Sequence, residues 1–499
     1  MKKMQYYWVL LLASLMLGLS ACGKTEDVPA DEQEGGIGEQ RGVRHLNVNG
    51  KPFLMLGAQL RTDFFLQLDK KTPDELDPYF ELAANMNVMV VQVPICWKDI
   101  ESRKDSYSGA LVEKYIELCD RHNLKLELLW FGSYMCGYSV EGYIPDYVVY
   151  NTTEYPELKP SADFQGWLGK HYYLKPNTPK LVEREEKAIR YLMDVIYNYD
   201  NTHGKKHTVI GIQVENEPDM LATRHNQAHG YAPEQLWPDL IKQLDRLGQA
   251  VKNASYDCYT RVNQTTTYPD HMKKSAEIVA TKGIDYVGVD PYENTLEQID
   301  GKLRALQKIE GNYAHIAENG GEYTNNDLLA LKALTLGCGY EIFEVITTPH
   351  PYLVDWTLRG VYNPDFTPKA HTQRIVDAFK IFKDAWVDLA TAETKEIIGF
   401  NLKADDGMEQ TSETQSTTHA SVKWQTISRG VAFAVEYDGH LTAASTKNDV
   451  MELIGLQITR VEKGRYDMNG TWVSGGSAAL NNNQLVMDPC TVYRVTFVK

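Results

Sequence analysis

From about residue 50 to 386, short apolar runs alternate with longer stretches whose apolar residues recur every three or four positions. Runs of strand length fall at 53–59, 88–95, 124–131, 208–215, 259–265, 284–290, 313–318 and 339–345. Between them lie stretches, for example 74–85, 112–121, 182–199, 233–254, 296–310 and 368–386, with the spacing of a helix with one buried face. Eight such strand–helix units predict a (β/α)8 barrel over 46–388. A doubly wound open sheet is the competing arrangement, and it more often carries a glycine-rich phosphate loop after its first strand. The first run here ends Leu56-Gly57-Ala58-Gln59-Leu60-Arg61, with no such loop.

The texture changes after about 390. Strand-like runs at 396–402, 420–425, 430–437, 441–444, 451–459, 471–473 and 491–498 are separated by Gly, Asn and Asp clusters. They predict a small β-sandwich over 389–499, either packed on the barrel or binding carbohydrate. One connection inside the barrel, 132–181, is too long to be only a connection, and it is rich in tyrosine. Long loops at the C-terminal face of a barrel carry function. Most of these rings are expected to pack the loop down, and the rest to offer flat apolar faces to a sugar.

The N-terminus is expected to lie outside the fold. Lys2 and Lys3 precede an apolar stretch ending Leu19-Ser20-Ala21-Cys22, the pattern of an export signal over 1–21. Residues 22–45 are polar, acidic and without periodicity, and read as a flexible tether. The end at Cys22 resembles a bacterial lipobox. That resemblance implies cleavage before Cys22, lipid on its sulfur and a membrane partner through the anchor. The expected location is the bacterial cell envelope, at the outer membrane, facing the periplasm or the surface.

Composition narrows the function classes. The formal charge is −16, or −18 once Lys2 and Lys3 leave with the signal. An acidic chain argues against nucleic acid as a partner. Besides Cys22, the six cysteines (Cys96, Cys119, Cys136, Cys258, Cys338, Cys490) form no CxxC pair and no metal-ligand spacing. No cofactor and no metal are expected.

Two glutamates carry the candidate chemistry. Glu217 closes the run over 209–218 and Glu318 that over 314–320, each followed at once by a turn former. In a parallel barrel both carboxyls then stand at the C-terminal mouth. A carboxylic acid and a carboxylate across one mouth are the minimal equipment for cleaving a glycosidic bond. The sequence favours Glu217 as acid/base and Glu318 as nucleophile. Asn216 is the candidate partner of a sugar 2-hydroxyl, and Tyr292 the candidate to orient the nucleophile or to be a rim residue. Trp97, Trp130 and Trp356 end or follow strands and are candidates for a sugar platform or for filling the barrel top. Gln59 and Arg61 are candidates for binding hydroxyls or a charged sugar. Glu215, two residues before Glu217, is expected on the same side but deeper, as a supporting carboxylate. Glu344 is a candidate binding or supporting residue, and Asp290 reads as an interior hydrogen-bonding residue.

These segments resemble the retaining clan of (β/α)8 glycoside hydrolases, most of all the β-galactosidase families 35 and 42 and their relatives. The likeness rests on Gly211-Ile212-Gln213-Val214-Glu215-Asn216-Glu217, on Val93-Pro94-Ile95-Cys96-Trp97 and on Phe131-Gly132-Ser133-Tyr134-Met135-Cys136-Gly137-Tyr138. It implies net retention, a covalent glycosyl–enzyme intermediate, an oligosaccharide or polysaccharide substrate and no metal. Tyr138 stands about where family 35 carries a glutamate that holds galactose hydroxyls, which makes it a substrate-binding candidate. Leu60-Arg61 replaces the usual His-Tyr or His-Asn. The competing readings are a carbohydrate-binding lipoprotein on a glycosidase-like barrel and a metal-dependent isomerase, which would need clustered ligands at strand ends.

Overall fold

The structure is a computed structural model, which describes residues 35–40, 43–166, 169–220, 233–348, 359–401, 410–427 and 430–498. Cys22, the export signal and Trp356 lie outside the described residues. Three short antiparallel strands come first: β1 (Gly35–Gln40), β2 (Val43–Val48) and β3 (Lys51–Phe53). The expected tether thus ends earlier than residue 45. From Gly35 onward the backbone pairs with β2, and Leu46 and Val48 add apolar side chains to the core.

The next strands are β4 (Leu56–Gln59), β5 (Val90–Cys96) and β6 (Lys125–Met135). The long connection after β6 folds into a sheet of its own, from β7 (Ser139–Val140), β8 (Lys159–Gly166) and β9 (Gly169–Tyr173). Then follow β10 (Val209–Asn216), β11 (Tyr259–Gln264), β12 (Tyr286–Val289), β13 (His315–Gly320) and β14 (Gly339–Phe343). Strands β4, β5, β6 and β10 to β14 close into a barrel in chain order, every neighbour parallel. Each coincides with one of the eight apolar runs. Parallel strands lie buried on both faces, which explains continuous rather than alternating apolar runs.

The barrel interior is less apolar than such barrels usually are. Gln92, Glu127, Arg261, His315 and Glu341 all point inward and all are buried. Arg261 pairs with Glu127, His315 Nε2 lies 3.0 Å from Glu341, and Gln92 bonds Glu341. Gly57 makes room for this layer, since a Cβ there would sit 2.3 Å from Glu341 Oε1. Burial, then the nearby Glu127, raises the Glu341 carboxyl well above its usual range, and burial depresses the His315 imidazole. A polar floor that is mostly neutral, apart from one ion pair, therefore lies beneath the mouth.

Among the described residues, ten antiparallel strands follow the barrel. They are β15 (Ile397–Phe400), β16 (Gln410–Ser416), β17 (Ser421–Ile427), β18 (Ala432–Tyr437), β19 (His440–Ser445), β20 (Asp449–Ile454), β21 (Gln457–Tyr466), β22 (Trp472–Ser477), β23 (Gln484–Met487) and β24 (Thr491–Val498). A six-stranded sheet, β15-β18-β19-β24-β21-β22, packs on a four-stranded one, β16-β17-β20-β23. Phe400, Trp424, Leu453 and Tyr493 belong to the core between them. The run 451–459 is two strands rather than one, because Gly455 at φ +82° turns the chain. The sandwich is fastened to the barrel by the helix Trp386–Thr391, within which the expected boundary at 388/389 falls. Asp388 there accepts from Thr442 Oγ1 at 2.5 Å and Tyr466 OH at 2.6 Å, and Trp386 Nε1 donates to the Asp467 carbonyl at 2.9 Å.

Candidate active site

The C-terminal ends of β6, β10, β12 and β13 gather one set of polar side chains. Glu217 follows β10 directly, and Glu318 lies within β13. Glu318 accepts a hydrogen bond from the Tyr292 hydroxyl. Arg359 Cζ lies 3.9 Å from the centroid of the Tyr292 ring. Burial raises the Glu318 carboxyl, and the Tyr292 hydroxyl with the positive charges of Arg61, Arg261 and Arg359 opposes the rise. The same two glutamates act on a common neighbour. Asp290, just past β12, is raised well above the carboxylate range by burial, then by the charges of Glu318 and Glu217. The Tyr292 phenol is raised by burial and then by the same pair. Asp290 and Tyr292 thus lie within electrostatic reach of both carboxyls.

The β10 corner is built tightly. Glu215 and Glu217 both take left-handed backbone angles, φ +62° and +42°. The pairing of β10 with β6 shifts register between Val214 and Asn216. Such a bulge re-aims side chains and is frequent at functional sites. Asn263 on β11 holds the corner: its Oδ1 accepts the Glu217 backbone N–H at 3.0 Å, and its Nδ2 donates to Asn216 Oδ1 at 3.0 Å. Cys136 lies against the other side. Its thiol donates to Glu217 Oε2 at 3.2 Å, and its sulfur lies 3.3 Å from Asn216 Nδ2.

The remaining expected residues divide. Gln59 ends β4 on the inward face, with Oε1 buried and unpaired. Arg61 is committed elsewhere, since its guanidinium forks onto Asp63 at 2.9 and 2.6 Å and also donates to Tyr143 OH at 3.2 Å. It reaches the site through its charge on Glu318. Trp97 is fully buried in the core and gives its indole N–H to Glu101, so it fills rather than forms a platform. Trp130 likewise is no platform. It faces outward from β6 and donates to Glu185 of the helix Pro179–Thr202 at 2.8 Å. Alternation on β6 gives the inward face to Leu129 and Phe131, which join an apolar cluster with Phe64 and Tyr143. Tyr138 belongs to that cluster too, its ring 4.7 Å from His171 and 5.4 Å from Tyr173. Glu344 is bound by Thr348 through N–H and Oγ1, both at 2.8 Å, and burial pushes its carboxyl up to about 7.

Glu215 does not lie on the same side as Glu217. It turns outward to meet Glu185, Ser133 and the Gly132 N–H. The sequence reading missed Asn263 and Cys136 and set Asp290 aside. Arg261 and Asn263 stand on either side of Val262, two positions apart, and so share one face of β11. Among the described residues, no three His, Cys, Asp or Glu side chains gather in a way that could hold a metal ion.

A family described as a domain of unknown function (DUF4978) matches residues 240–407. No curated protein matches the chain in sequence. Solved structures similar to it are glycoside hydrolases of low identity. An exo-β-1,4-mannosidase from Opitutaceae bacterium strain TAV5 is 13% identical over 72% of this chain, with a TM-score of 0.47; the match spans 62% of the mannosidase's own length. A GH5_18 enzyme from Bifidobacterium longum, in complex with Manβ1-4GlcNAc, is 12% identical over 66% of this chain and 79% of its own, with a TM-score of 0.49. A β-galactosidase from the haloarchaeon Halorubrum lacusprofundi is 12% identical over 66% of this chain and 58% of its own, with a TM-score of 0.47.

Proposed function

We propose that the protein is a retaining glycoside hydrolase of β-galactosidase type, with Glu217 as acid/base and Glu318 as nucleophile. The reading rests on one arrangement: Glu217 follows β10 and Glu318 stands on β13 of a closed parallel barrel, the Tyr292 hydroxyl bonds Glu318, and Asn263 ties the Glu217 backbone to Asp290, two residues before Tyr292. In the first step the Glu318 carboxylate attacks the anomeric carbon while the Glu217 acid protonates the leaving oxygen. A glycosyl ester on Glu318 results. In the second step the Glu217 carboxylate takes a proton from water, the water oxygen attacks the anomeric carbon, and Glu318 departs as carboxylate. The Tyr292 hydroxyl and the surrounding arginines favour the ionised form of Glu318 that the first step needs. Asn216, held through Oδ1 by Asn263 and Gln213, is in place to meet the substrate beside the attacked carbon. The lipobox-like end at Cys22 supports anchoring at the cell envelope.

The test is turnover of a panel of aryl β-glycosides, with the first product's anomer followed by NMR. Wild type is expected to hydrolyse at least one, β-galactosides first, with retention. Glu217→Gln and Glu318→Gln, both folded, are expected to lose that activity. Binding of oligosaccharides without turnover of any panel member would replace this reading with that of a carbohydrate-binding lipoprotein.

A further inference from the structure

Asp290 is not needed by the two-glutamate scheme, yet it is held as firmly as its members. Its backbone N–H donates to the Gln264 carbonyl at 2.8 Å, and its Oδ2 accepts from Asn263 Nδ2 at 2.5 Å. Asn263 is the same amide that fixes Asn216 and the Glu217 backbone, so the position of Asp290 relative to that corner is set by one side chain. Asp290 is 2% exposed, and its Oδ1 is buried with no hydrogen-bond partner among the described residues. Glu318 on β13, Glu217 after β10, Tyr292 beyond β12 and Arg261 on β11 are the titratable and charged groups it faces. A buried polar oxygen left unpaired is uncommon and calls for a partner. Asp290 lies two residues before Tyr292, whose hydroxyl bonds Glu318, and shares Asn263 with the Glu217 backbone.

We infer that Asp290 is a third carboxyl of the centre and touches the ligand itself, its Oδ1 bonding a hydroxyl of the sugar ring flanked by Glu217 and Glu318. The inference deepens the glycosidase reading and rests on it. It also narrows the substrate class to neutral, hydroxyl-rich sugars. A ring with a carboxylate of its own would set a second negative charge beside the ionised Glu318. Burial and the two glutamates favour the protonated form of Asp290, which can donate to a hydroxyl oxygen as well as accept from one.

The experiment compares wild type with Asp290→Asn and Asp290→Ala on an aryl β-glycoside and its monodeoxy analogues. Asparagine keeps the shape, and circular dichroism confirms folding. With the parent substrate, kcat/KM is expected to fall roughly ten- to a hundredfold, as for a lost hydrogen bond in a buried site. With the one analogue lacking the hydroxyl that Asp290 holds, the wild-type advantage is expected to shrink to within about threefold. A purely supporting role, acting through Asn263, would lower every analogue equally and would overturn the proposal. If wild type turns over no glycoside, the glycosidase reading fails separately. Calorimetry of methyl β-glycosides then decides for Asp290: weaker binding by Asp290→Asn supports the contact, and equal binding or none overturns it.

Discussion

Glu215 and Glu217 stand two residues apart on one strand end, and the molecule uses them in opposite ways. On a regular strand they would share a face. The bulge and the two left-handed residues separate them. Glu215 is 0% exposed, on the outer side of the barrel wall. There Glu185 accepts from Trp130 Nε1 at 2.8 Å and Ser133 Oγ at 2.6 Å, while Glu215 Oε2 accepts the Gly132 N–H at 3.1 Å. Burial, then the Glu185 charge, raises the Glu215 carboxyl well above its usual range. Burial raises the Glu185 carboxyl as well, so the two carboxyls titrate as a pair. Glu217 keeps 8% of its surface, at the mouth, in charge contact with Asp290. Identical side chains two residues apart thus meet different surroundings, a closed hydrogen-bonded lock at Glu215 and the proposed acid/base position at Glu217.

The largest expected effect separates the two directly. Glu217→Gln and Glu318→Gln should lower kcat/KM on the best aryl glycoside by roughly 10²–10⁴-fold. Glu215→Gln, which keeps the shape and loses one acid, should cost within about tenfold. Equal losses at 215 and 217 would break the contrast.

Next is Tyr292→Phe, which removes a hydrogen bond to the Glu318 carboxylate. A charge-assisted bond of this kind is worth about 1.5–3 kcal/mol, so activity should fall roughly ten- to a hundredfold. The same bond lowers the Glu318 carboxyl. Its loss should therefore move the acidic limb of the pH–rate profile to higher pH, since the nucleophile must be ionised.

Gly132→Ala probes the lock alone, because a Cβ there would lie 1.8 Å from Glu185 Oε1. Overpacking of this kind costs about 1–3 kcal/mol. The melting temperature should drop, with a smaller change in activity per folded molecule.

The smallest effect is in pH dependence. The unfolded chain releases the Glu215 proton near the ordinary value of 4.5, while the folded chain holds it to higher pH. Stability from this group is fully present below that value and is lost as pH rises toward the folded pKa. Glu215→Gln should flatten that decline in denaturant titrations at several pH values.

Much of the barrel was legible because fully buried parallel strands leave continuous apolar runs, and all eight runs became strands. Two helices left no such signal. Asn326–Thr335 is buried nearly all round, so its sequence lacks a polar face, and Pro269–Val279 buries little. In the sandwich, Gln410–Ser416 is polar throughout, and Gln484–Met487 is too short to stand out. Strand ends and turn formers made legible the positions of Glu217, Asn216 and Glu318 at β10 and β13 and of Tyr292 past β12. The outward turn of Glu215 was not, because no glycine or proline marks the bulge. Trp130 could have been read correctly, since alternation from the inward Glu127 puts it on the outer face. Trp97 lies past the end of β5, where alternation no longer applies.

The central claim is that Glu318 forms a covalent bond to the sugar while Glu217 serves both steps. The most direct measurement is trapping with a 2-deoxy-2-fluoro β-glycoside bearing a good leaving group, followed by peptide mass spectrometry. The account predicts one glycosyl adduct, on Glu318, absent from Glu318→Gln. An adduct on a different residue, or turnover of the parent glycoside with inversion, would contradict it.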